Sequence, residues 1–106
     1  MQQSPQLQQS VRRNPMRSKF ELGQLYITPG AAEVLAAPFI LLARHAARDW
    51  GELSNDDKRA NDQALVDGTR ILSAYTVNGH RIWIITEAVG DDGHRAATTI
   101  TLPSEY

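Results

Sequence analysis

His45 and Asp49 stand four residues apart in the run His45-Ala46-Ala47-Arg48-Asp49-Trp50, a spacing that puts both on one face of a helix. An imidazole beside a carboxylate can move protons or hold a metal ion. The same spacing serves structure equally well, as a pair that ends a helix while Trp50 packs back on the core. A helical zinc site would add a second histidine and a glutamate, and the run has neither. The three histidines, His45, His80 and His94, fall on different elements, with His80 and His94 at turns. They are not expected to converge on a metal.

A second constellation is basic and aromatic. Arg70, Arg81 and Arg95 accompany Tyr75 and Trp83 in the C-terminal half. Small ribonuclease toxins present Arg, His and Tyr on a sheet in this way, and RNA is held by positive charge and stacking. The structural alternative is cross-strand ion pairing, with Arg70 opposite Glu87. Trp50 and Trp83 are either anchors for a protein partner or core residues. No glycine-rich phosphate loop or nucleophile elbow occurs, and Asp91-Asp92 offers too few ligands for calcium. Neither a metal nor a cofactor is expected.

Composition narrows the classes further. The 106 residues hold one domain's worth of core, with 42% hydrophobic and 22% charged residues. There is no cysteine, which removes disulfide scaffolds, thiolate zinc sites and cysteine nucleophiles. No apolar run reaches the roughly 18 residues of a membrane span. No apolar stretch follows the N-terminal basic residues, so a cytoplasmic protein is expected. The net charge of -1 hides an asymmetry. Residues 1–19 carry Arg12, Arg13, Arg17 and Lys19 and no acid, leaving 7 of the 11 basic residues against all 12 acids in the rest. That first segment, rich in Gln, Ser, Arg and Pro, reads as a disordered basic tail that could touch nucleic acid or an acidic partner. Met16 is a plausible alternative start.

The elements that must position these residues follow from local signals. Phe20–Thr28 reads as a strand. Thr28-Pro29 opens a helix over about 29–37, with Glu33 expected in its first turn, and Pro38 ends it. A second helix, 38–48, has an apolar face wide enough to predict deep burial. Ser54 caps a third helix that Asp67-Gly68 closes. From Arg70 the period changes to two. Strands 70–77 and 80–89 flank Asn78-Gly79, the strongest short hairpin signal. A third strand spans 94–102, after a turn at Gly90–Gly93, and Pro103 stops it. The fold class is α+β: an N-terminal strand and three helices on a three-stranded antiparallel meander.

A two-residue turn pairs Val77 with His80, Tyr75 with Ile82, Ala74 with Trp83, Leu72 with Ile85 and Arg70 with Glu87. One face then carries Leu72, Ala74, Trp83 and Ile85, joined by Ile100 and Leu102 if the second loop has four residues. The other carries Ile71, Tyr75, Val77, Ile82, Ile84 and Thr99. Both are apolar, which predicts a covered second face or a homodimer. The third strand is expected at the sheet edge.

The blocks Leu41-Leu42-Ala43-Arg44-His45, Asp49-Trp50-Gly51, Arg70–Tyr75, Ile82–Glu87 and Thr98–Pro103 carry a resemblance. Over roughly residues 20–106 the chain resembles a family of small bacterial proteins of plasmids and integrative elements, described as plasmid-related or hypothetical. It departs from the usual pattern at Arg48 and in the loop 90–93. The resemblance implies a mobile-element setting and brings no catalytic residues with it. The expected function is therefore a non-enzymatic protein-interaction module, a counter-defence inhibitor of anti-CRISPR or anti-restriction type that binds a host or plasmid protein complex. Its candidate contact residues are Tyr75, Trp83, Arg70, Arg81, Arg95, Trp50 and His45. A ribonuclease-type toxin and a DNA-binding plasmid regulator are the alternatives.

Overall fold

The computed structural model describes residues 20–106; the basic segment 1–19, with Met16, lies outside the described residues. The order is β1 (Gln24–Ile27), α1 (Pro29–Val34), α2 (Pro38–Ala46), α3 (Asn55–Asp67), β2 (Ile71–Val77), β3 (His80–Thr86) and β4 (Ala97–Thr101), then a 3-10 turn at Pro103–Glu105. This is an α+β fold, with four strands in one mixed sheet of order β1-β4-β3-β2. The meander is present, and β1 extends it by pairing parallel with β4, Leu25 beside Thr98 and Ile27 beside Ile100. The third strand of the meander is thus interior rather than at the edge. The connection from β1 to β4 holds the three helices and the β2–β3 hairpin, long enough to bring β4 back in parallel.

Local chemistry explains the element ends. The Ser54 hydroxyl accepts from the Asp57 amide at 3.1 Å, and Gly68 closes α3 at φ 81°. Asn78 and Gly79 both take positive φ, the signature of a two-residue hairpin turn. At α1 the expected cap is replaced. Thr28 donates its hydroxyl to Glu105 (2.7 Å), and Glu105 accepts the Gly30 amide (3.0 Å). The acid at this helix start is Glu105, from the far end of the chain, and not Glu33. The Thr28 hydroxyl and then the Gly30 amide hold the Glu105 carboxyl below the usual range.

The hairpin register is the expected one from Val77–His80 through Leu72–Ile85. The second loop is not. Val89 bridges Arg95, so residues 90–94 form the turn, one residue more than expected, and Trp83 faces Thr101 instead of Ile100. A slip of one residue exchanges the two faces of a strand. Ile100 therefore joins Tyr75, Ile82 and Ile84 under α1 and α2, packed with Ala31, Leu35, Leu41 and Leu42 and flanked by Leu102. Thr99 and Thr101 go to the other face, which is less apolar than predicted. A second cluster, Trp50, Ala64 and Ile71 with Phe20, Leu53 and Leu65, ties α3 to the edge of β2. In α2, Leu41, Leu42, His45 and Ala46 are buried while Phe39 and Ile40 stand in solvent. Its wide apolar face is only partly core, contrary to the deep burial predicted.

Candidate interaction surface

Four of the seven candidate residues lie inside. His45 is fully buried, with its ring edge-on to Phe20 and Trp50. Its Nδ1 lies 2.5 Å from the Ser73 hydroxyl and its Nε2 2.9 Å from Thr86, which lies 2.7 Å from Thr98. Thr98 in turn donates to the Leu22 carbonyl at 2.7 Å. That carbonyl can only accept, so it sets the direction of every bond in the chain. Thr98 spends its proton on Leu22, Thr86 gives its proton to Thr98, His45 Nε2–H donates to Thr86, and Ser73 donates to a bare Nδ1. The network thus assigns the Nε2–H tautomer. Burial alone drives the imidazole pKa down from 6.5 to about 3, so it stays neutral. This histidine straps β2, β3 and β4 together and faces no solvent.

The His45–Asp49 pair of the sequence reading does not form. The helix stops at Ala46 and Arg48 turns the chain with φ 70°, which swings Asp49 outward. Asp49 meets Arg44 at 2.7 Å instead, and that contact holds its carboxyl below the ordinary range. The Arg44 guanidinium also lies over the Tyr75 ring, 4.6 Å from its centre. Tyr75 is buried, with its hydroxyl donating to the Asp49 carbonyl at 2.6 Å, and burial pushes its pKa up to about 12. Trp50 is buried too, its indole N–H donating to Asp62 at 3.0 Å.

Arg95 is not a surface contact either. It is 5% exposed, and its guanidinium donates to the carbonyls of Thr69 (2.7 Å), Glu87 (3.0 Å) and Ala64 (3.0 Å). It closes the C-terminal end of α3, where unpaired carbonyls concentrate negative potential. Of the remaining histidines, His94 meets Glu21 at 3.1 Å and His80 is exposed at the hairpin. Among the described residues no three His, Asp or Glu side chains gather as metal ligands.

Arg70 and Arg81 are exposed and Trp83 is half-buried, all on the sheet face turned away from α1 and α2. Tyr106, which sequence reasoning missed, joins them. The 3-10 turn carries its ring edge-on to Trp83, centres 6.4 Å apart. Arg70 donates to the Tyr106 hydroxyl at 3.0 Å and lies over the same ring, rather than pairing with Glu87. Further along, Arg81 meets Glu52 at 2.9 Å, and Glu52 also accepts from the Thr76 amide and hydroxyl. Leu72 and Thr99 are half-buried beside this group. A half-buried indole, an exposed phenol and an exposed guanidinium, gathered on a face whose Ala74, Ile85 and Thr101 are already buried, are the side-chain types that dominate protein interfaces. No helix among the described residues is long and apolar enough to cross a membrane. Comparison with known proteins gives no matching family model, no significant match among curated proteins and none among solved structures.

Proposed function

We propose that this protein is a non-enzymatic, cytoplasmic protein-interaction module that holds its partner on the open face of the sheet. The observation that carries the reading is the connected group Arg70–Tyr106–Trp83 on a surface that α1 and α2 leave uncovered. Two further facts support it. His45, the residue an acid–base reading needs most, is a buried strap between strands. Arg95 is spent on three carbonyls. The finer reading, a counter-defence inhibitor from a mobile element acting on a host protein complex, rests on the sequence resemblance alone.

The test is affinity capture from a bacterial host with the natural chain and with the double variant Arg70→Glu/Trp83→Ala. A defined complex retained by the first and lost by the folded variant is the expected result. Unchanged capture would remove this face from the interaction. Growth arrest on expression that disappears with Arg70→Ala or Arg81→Ala would install the ribonuclease reading instead.

A further inference from the structure

We infer that the chain forms a two-fold homodimer through its β1 edge, joining two four-stranded sheets into one of eight strands. This goes beyond the open-face reading and stands apart from it. The hydrogen-bonding pattern is the starting point. The amides of Gln24 and Thr28 donate to Ala96 and Ile100 of β4, both at 3.0 Å. Alternation along a strand then turns the N–H and C=O groups of Leu25 and Ile27 to the outside of the sheet. No described residue bonds to them. They are two donors and two acceptors spaced for antiparallel pairing with the same strand of a second copy. In that pair Leu25 faces the partner's Ile27, Ile27 faces its Leu25, and Tyr26 faces its own counterpart on the axis.

The side chains fit the same symmetry. Leu25 and Ile27 share the helix side with Ile100, where they line a groove of ≈ 210 Å3 with Pro38, Phe39 and Leu42. A two-fold axis perpendicular to the sheet puts both sets of helices on one side, so each groove is closed by the partner's Leu25, Ile27 and Phe39. Leu25 is 43% exposed, Tyr26 57%, Ile27 40% and Phe39 65%. Given large side chains of about 150–250 Å2, they leave roughly 400 Å2 of apolar surface per protomer. Two protomers bring about 800 Å2, the size of a weak interface, to which the backbone hydrogen bonds of the paired strands add. β1 carries no charge, so pairing with itself sets no like charges opposite each other. Edges that stay single are usually defended by Lys, Pro or a bulge, and Gln24–Ile27 has none of these.

The absence of cysteine gives a direct geometric test on the full chain. Tyr26 and its counterpart form a non-hydrogen-bonded pair, with Cα atoms about 4.5 Å apart, within disulfide reach. Tyr26→Cys is expected to cross-link to a covalent dimer under mild oxidation, at least tenfold faster than Glu33→Cys on exposed α1. Light scattering should give a mass of twice 11.8 kDa for the natural chain and 11.8 kDa for Ile27→Lys, with an unchanged far-ultraviolet spectrum. Leu25→Pro, which deletes an outward N–H and spares the bonds to β4, should also be monomeric. A natural chain that stays monomeric at high micromolar concentration overturns the proposal, whatever foreign strand binds there. So does a dimer that survives Ile27→Lys, or equal cross-linking at residues 26 and 33. The Arg70→Glu/Trp83→Ala variant should remain dimeric, which separates this proposal from the open-face reading.

Discussion

The two edges of the sheet are finished in opposite ways. On β2 the residues whose backbone groups point outward are Leu72, Ala74 and Thr76. The Asn61 side chain donates to the Leu72 carbonyl at 2.8 Å and accepts its amide at 3.2 Å. The Ala74 amide donates to the Trp50 carbonyl at 3.2 Å, and its carbonyl accepts from the Glu52 amide at 2.7 Å. The Thr76 amide donates to the Glu52 carboxylate at 3.1 Å. Rung by rung, a helix side chain and a loop of irregular backbone take the place of a fifth strand. Among the described residues, the outward groups of Leu25 and Ile27 on β1 receive no such treatment, and the flanking apolar side chains are exposed. Protecting an edge takes specific residues, here Asn61, Gly51 and Glu52, and their presence on one described edge alone favours the other as the place for pairing.

The protected edge should break most severely at Gly51. It sits at φ 76°, and a Cβ there would lie 2.0 Å from the Ala74 carbonyl oxygen. Gly51→Ala combines backbone strain with expulsion of the loop from β2, which costs about 3 kcal/mol or more. Thermal unfolding followed by circular dichroism should show a melting point lower by over ~12 °C. A shift under a few degrees would mean the loop does not cap the edge.

His45 comes next, because its chain of bonds runs from β2 to the segment just before β1. His45→Leu leaves the Ser73 and Thr86 hydroxyls in the core without their partner, at a cost of about 2–3 kcal/mol. Its titration gives a sharper readout. Between pH 6.5 and about 3 the unfolded imidazole binds a proton that the folded one refuses. Stability is therefore complete above 6.5 and falls as the pH drops through that window, by up to about 1.4 kcal/mol per unit. Denaturant titrations between pH 6.5 and 5 should show this slope, and His45→Gln should flatten it. Equal slopes in both proteins would place the effect elsewhere.

Asn61→Leu is the mildest of the three changes. It keeps the volume against β2 but frees both groups of Leu72, which can regain water, so about 1–2 kcal/mol is expected. It also exposes one rung of the protected edge. Concentration-dependent self-association beyond the dimer, seen by light scattering, should accompany it. Stability loss with no change in assembly would show that one rung is too little to recruit a strand.

The hairpin was legible because a two-residue Asn-Gly turn leaves only one register for the strands around it. The second loop was not, because nothing in Gly90–His94 distinguishes a turn of four residues from one of five, and that single residue decides which face Ile100 joins. The buried histidine chain left a faint signal: Ser73, Thr86 and Thr98 are hydroxyl residues at inward-facing positions of three adjacent strands. Arg95 gave none, since an arginine at the start of an expected strand reads as a surface contact until three carbonyls surround it.

The sequence by itself determined much of the local structure: where the helices start, where the chain reverses at Asn78-Gly79, and which residues alternate on the hairpin, though α1 stops at Val34 and α2 at Ala46, short of the ends expected near Pro38 and Arg48. Those outcomes depend on caps, turns and periodicity within a few residues. Only the tertiary structure decided that β1 pairs with β4, that Glu105 caps α1, that His45 points inward, and that among the described residues one sheet edge is closed while the other is open. Each of these joins residues more than ten positions apart. Such contacts depend on how whole elements pack, and many alternative pairings of similar local sequence compete for them until the core settles the choice.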